Sequence, residues 1–114
     1  MDEIKGIARV KIHPGKLDEW KRLTEQAMEI VRTRDPGTLQ YDTFFNEDES
    51  ECIVLERFRD SDALILHGQN MAPLMESIMA TGTVSGELLG DLSEELRAQM
   101  ADSPVGLFTL YQAL

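Results

Sequence analysis

The chain has 114 residues, of which 21 are acidic and 11 basic, for a formal charge of −10. That length suits one domain over residues 1–114, and 42% hydrophobic against 28% charged residues is the balance of a folded globule rather than a disordered chain. The acidic excess repels phosphate backbones and anionic lipid, which sets nucleic acid and membrane surfaces aside as partners. The single cysteine, Cys52, leaves no internal disulfide or thiolate cluster, and two histidines without ligand spacing give no reason to expect a metal.

In chain order, residues 4–12 alternate with the period of a strand: Ile4, Gly6, Ala8, Val10 and Ile12 on one side, Lys5, Ile7, Arg9 and Lys11 on the other. His13-Pro14-Gly15 ends the run, since Pro lacks an N–H and Gly takes turn dihedrals. Residues 16–34 predict the longest helix. Leu17, Trp20, Leu23, Ala27, Ile30 and Val31 recur at spacings of three and four, and Arg32 and Arg34 complement the dipole of the last turn. Asp35-Pro36-Gly37 stops it, because the residue before Pro is driven out of the α region.

Residues 38–45 and 52–58 predict two strands joined by a polar hairpin over residues 46–50. Leu39, Tyr41, Thr43 and Phe45 should share a face; on the next strand Ile53 and Leu55 oppose Cys52, Val54, Glu56 and Phe58, as in a strand buried on both sides. Asp60-Ser61 opens a helical stripe through Ala63, Leu64, His67, Met71, Leu74, Met75 and Ile78. Gly68, Asn70 and Pro73 predict that it breaks into two shorter helices near Asn70. A strand over residues 84–89, a short acidic helix from Asp91 or Ser93 to Met100, and an apolar strand over residues 105–114 complete the chain. No run reaches the ~20 apolar residues of a membrane span. Met1-Asp2-Glu3 lacks the positive charge that opens a signal peptide, so a cytoplasmic location is expected.

The order β-α-β-β-α-β predicts an α+β fold: a ferredoxin-like antiparallel sheet with its helices on one face. Its other face, with Ile53, Leu55 and the apolar residues of the last strand, is too greasy to stay wet on so small a monomer. A second copy covers it most simply, which predicts a homodimer.

Three stretches resemble a known family. They are Val10-Lys11-Ile12-His13-Pro14-Gly15-Lys16, then Pro36-Gly37-Thr38-Leu39-Gln40-Tyr41, and Leu55-Glu56-Arg57-Phe58-Arg59-Asp60 running into Ala63-Leu64-Ile65-Leu66-His67. In order and spacing they are similar to the antibiotic biosynthesis monooxygenase domains of the dimeric α/β-barrel superfamily. The resemblance implies a dimeric α/β barrel, a pocket between sheet and helices, and oxidation of a quinol or polycyclic phenol by O₂ with no cofactor, neither metal nor flavin. Two departures stand out. Many members carry a second His soon after the first, where this chain has Gly68-Gln69-Asn70-Met71-Ala72-Pro73. The haem-degrading branch uses a Trp where this chain has Phe58, and an Asn that the first strand lacks.

Among single residues, His67 is the sharpest catalytic candidate. It lies on the apolar stripe with Leu64 and Met71, so it should point inward, where a neutral imidazole can accept a phenolic proton; the alternative is a ring that only bridges helix and sheet. Tyr41 and Tyr111 could donate to a developing oxyanion, or pack with the hydroxyl at a wet edge. Glu56 could orient His67 or act as a base, against an ion pair with Arg9 or Lys11 across the sheet. Phe58, Met71, Met75 and Trp20 are the candidate pocket lining, although a Trp and a Met stripe at helical spacing also suit plain packing. Cys52 has no adjacent base in the sequence. The expected partners are a second copy and a small aromatic or apolar molecule. Two other functions fit the same residues: a non-catalytic module binding an apolar metabolite, and an isomerase-type acid–base enzyme acting on a carbonyl compound.

Overall fold

A computed structural model describes residues 2–114. The elements follow in the order β1 (Ile4–Ile12), α1 (Leu17–Arg34), β2 (Thr38–Phe45), β3 (Glu51–Phe58), α2 (Ser61–Thr81), β4 (Gly82–Leu89), α3 (Glu94–Met100) and β5 (Gly106–Phe108). The sheet order is β2-β3-β1-β4-β5. Strands β1 to β4 pair antiparallel in the ferredoxin-like arrangement, but β5 runs parallel to β4, so the sheet is mixed. It is open rather than closed into a barrel within one chain, with β2 and β5 as its edges.

All three helices cover one face. Trp20, Leu23 and Ala27 of α1 and Met71 and Ile78 of α2 pack on Val10, Cys52 and Val54 of the sheet. A second cluster joins Ile4, Phe58 and Leu88 to Ala63, Leu92 and Leu96, with Phe58 and Ile4 wholly buried. The opposite face presents Ile7 beside Leu55 and Phe44 beside Ile53, and Phe44 is 53% exposed.

Three local expectations need correction. The stripe that was to break near Asn70 is one continuous helix, α2, with Pro73 inside it. Its buried residues Ala63, His67, Met71 and Ile78 hold the helix against the sheet despite the N–H that Pro73 lacks. The last strand is only Gly106–Phe108, and Leu110 and Tyr111 beyond it are exposed. Leu39 does not share the face of Tyr41: the β2–β3 register shifts between Thr38 and Gln40, so Leu39 is an extra, bulged residue, 49% exposed. No helix of the described residues is long and apolar enough to cross a membrane.

Candidate functional site

Four segments bring polar groups together beneath α2. Strand β3 alternates, so Glu56 falls on the same face as Val54 and Phe58 and looks toward the helices. Register places it between Tyr41 on β2 and Gly6 on β1, with the carboxyl close over Gly6: a Cβ there would be in ordinary contact, 3.6 Å from Glu56 Oε1. Asp60 starts α2 by accepting from the Ala63 N–H at 2.8 Å, which sets the phase that carries His67 inward two turns later.

The fourth segment is the turn after α1. Asp35 closes that helix by donating its N–H to the Val31 carbonyl, and Pro36 then forbids another helical residue. Gly37 brings the turn against α2, since a Cβ at this position would sit 2.5 Å from that of Ala63. The closeness delivers the Asp35 carboxyl to the imidazole: His67 Nδ1 lies 2.6 Å from Asp35 Oδ2. Asn70, one helical turn after His67, has its amide nitrogen 2.6 Å from Asp35 Oδ1. On the other side of the ring, His67 Nε2 is 3.9 Å from Glu56 Oε1. The side chains of Asp35, His67 and Glu56 are 1%, 10% and 15% exposed, so water screens them little. The rings of Phe58 and Tyr41 flank the imidazole, with centroids 5.2 and 5.4 Å away.

Burial makes two of these groups harder to ionise. The Glu56 carboxyl is pushed up by desolvation, only partly offset by the charge of His67. Tyr41 is pushed up as well, first by burial and then by the nearby Glu56 and Asp35 carboxylates, so it is a hydrogen-bonding phenol throughout the physiological range. A buried imidazole held between two carboxyls, one of which retains its proton unusually well, is equipped to take a proton at one atom and present another close by.

The sequence-predicted residues divide. His67, Tyr41, Glu56 and Phe58 meet, and Met71 is buried in the core beside them. Trp20 is buried where α1 packs on the sheet. With Tyr41, Thr24 and Thr43 it lines a cavity of about 30 Å³, room for one water, and its buried indole N–H has no hydrogen-bond partner among the described residues. Met75 is 41% exposed on the outside of α2, and Tyr111 is 96% exposed. Glu56 does not reach across the outer face: Arg9 pairs with Glu87 instead, because Arg9 and Glu56 point to opposite sides of the sheet. Burial pushes the Cys52 thiol up to about 11, which keeps it protonated. Asp35 and Asn70 do not stand out in the sequence as site residues. The usable signal for Asn70 is its i,i+3 spacing from His67, which puts both on one helix face.

A family model described as antibiotic biosynthesis monooxygenase matches residues 4–72, a span that contains Asp35, Tyr41, Glu56, His67 and Asn70. Among solved structures, MupZ from Pseudomonas fluorescens is similar with a TM-score of 0.88 at 22% identity, covering 100% of this chain and 94% of that one. SnoaB, a cofactor-independent oxygenase from Streptomyces nogalater, is similar with a TM-score of 0.70 at 18% identity, covering 82% and 96%. Rv0793 from Mycobacterium tuberculosis is similar with a TM-score of 0.71 at 23% identity, covering 81% and 97%. At these identities the likeness is one of fold. No curated protein matches the sequence.

Proposed function

The chain belongs to the antibiotic biosynthesis monooxygenase family, and from that premise we propose a cytoplasmic, homodimeric, cofactor-independent enzyme that oxidises a quinol or polycyclic phenol with O₂. The observation that carries the reading is the 2.6 Å contact between Asp35 and His67, which braces an inward-facing imidazole beside Glu56 and Tyr41. In this reading His67 is the base. Taking the hydroxyl proton of the substrate leaves an electron-rich phenolate, the form of an aromatic ring able to pass an electron to O₂. One oxygen atom enters the product, and the two electrons that reduce the other to water come from the substrate itself. Tyr41 and Glu56 face the developing oxyanion as donors.

Oxygen consumption by the purified, metal-free protein with a panel of quinols and naphthols tests this. Turnover is expected with at least one compound, and His67→Ala should lower it by about 10²–10⁴-fold. A wild-type protein that consumes no oxygen across the panel overturns the reading.

A second reading is favoured by the raised Glu56 carboxyl opposite His67. A base and a proton-bearing acid on two sides of one gap also suit proton transfer on a carbonyl compound, with no oxygen consumed. Turnover that continues under anaerobic conditions selects it.

A further inference from the structure

Asn70 touches no group that would react, yet it determines the direction of the hydrogen bonds that end at His67. Its amide nitrogen lies 3.1 Å from the backbone carbonyl oxygen of Arg34. A carbonyl only accepts, so the atom facing it is the NH₂ and the amide has one orientation. The second N–H of that group then donates to Asp35 Oδ1 at 2.6 Å. Asp35, 1% exposed, meets His67 Nδ1 with its other oxygen at 2.6 Å. A carboxylate held this way only accepts, which puts the ring hydrogen on Nδ1 and the lone pair on Nε2.

Nε2 and Glu56 Oε1 are 3.9 Å apart. That is too long for a direct hydrogen bond, but one oxygen atom can sit about 2.8 Å from both. We propose that Asn70 and Asp35 are positioning residues that hold His67 as the Nδ1–H tautomer, and that the gap between Nε2 and Glu56 seats a single substrate oxygen, the hydroxyl of a phenol or enol. The proposal rests on the reading of His67 as a base and deepens it. In the step, the substrate O–H bond breaks, an N–H bond forms at Nε2, and the electron pair stays on oxygen. The imidazolium so formed faces the Asp35 carboxylate, and the oxyanion lies against the Glu56 carboxyl, which donates to it in the protonated form that burial favours. The other titratable group against the ring is Tyr41 from β2, a neutral phenol; within α2 the neighbouring Asn70 carries no charge.

Nitrogen-15 NMR of the His67 ring in the full-length protein tests both parts. The wild type is expected to show hydrogen on Nδ1 once the ring is neutral. Asn70→Ala should raise the Nε2–H population several-fold and Asp35→Asn should make it the major form. Two variants guard against misfolding of either. Phenol titrated into the wild type is expected to shift the Nε2 resonance and leave Nδ1 in place. Hydrogen on Nε2 in the wild type, tautomer populations unchanged in both variants, or an Nε2 resonance that phenol does not move overturns the proposal. These readouts use the resting protein without oxygen. A protein that oxidises no quinol but passes them loses the oxygenase reading and keeps this one; turnover alongside Nε2–H does the reverse.

Discussion

The Glu56 carboxyl lies against Gly6 and near His67, and desolvation lifts it above the ordinary glutamate value of 4.5. A carboxyl that is harder to ionise in the folded state than in the unfolded one contributes stability in its protonated form. That contribution is complete below the unfolded value and is lost as pH rises through the folded one. Glu56→Gln keeps the shape and removes the titration. Thermal melts from pH 4 to pH 8 should therefore show the variant gaining on the wild type as pH increases, and a difference constant with pH would refute this placement of the charge. The same burial explains why the residue is ambiguous in sequence. Alternation puts Glu56 on the face of Val54 and Phe58, but only the structure shows an imidazole there in place of Arg9 or Lys11.

Between elements, the decisive contact is the turn after α1 against the start of α2. Gly37→Ala would place a Cβ 2.5 Å from that of Ala63, and neither is the end of a flexible chain, so the backbone must move. A cost of about 1–3 kcal/mol is expected from denaturant unfolding, as for other overpacked contacts. The double variant Gly37→Ala with Ala63→Gly should recover most of the loss, because it restores the gap from the other side; no recovery would mean that the turn is held elsewhere. Such contacts mark the limit of what the sequence discloses. Period-two and period-3.6 patterns place β1, α1, β2, β3 and α3 close to their observed bounds, since burial on one face imposes those periods locally. They say nothing of residues separated by a whole strand pair. Asp35 reads as a helix stop and Asn70 as a helix breaker, and both descriptions concern the backbone; their side-chain role depends on a tertiary approach. Pro73 misleads for the related reason that packing outweighs a local preference. The bulge at Leu39 has no sequence mark beyond its place in an edge strand.

For the molecule as a whole, the helices leave one side of the sheet bare. Ile7, Phe44, Ile53 and Leu55 lie there on neighbouring strands, with Phe108 of β5 at 55% exposure, a patch of the kind that two copies can share about a twofold axis. Leu55→Glu sets an acid at its centre, next to Asp42 on β2 and Ile7 on β1. Sedimentation at micromolar concentration is expected to give twice the chain mass for the wild type and the single mass for this variant; a wild type that sediments as one chain refutes the shared patch. The rim of the sheet has a separate consequence. A stray strand arriving along β2 meets a row of donors and acceptors interrupted where Leu39 is squeezed out of register, and on the far side β5 offers three residues. The bulge and the short last strand each disfavour strand addition at their rim, so fibril growth is expected to start more readily from unfolded chain than from the native sheet.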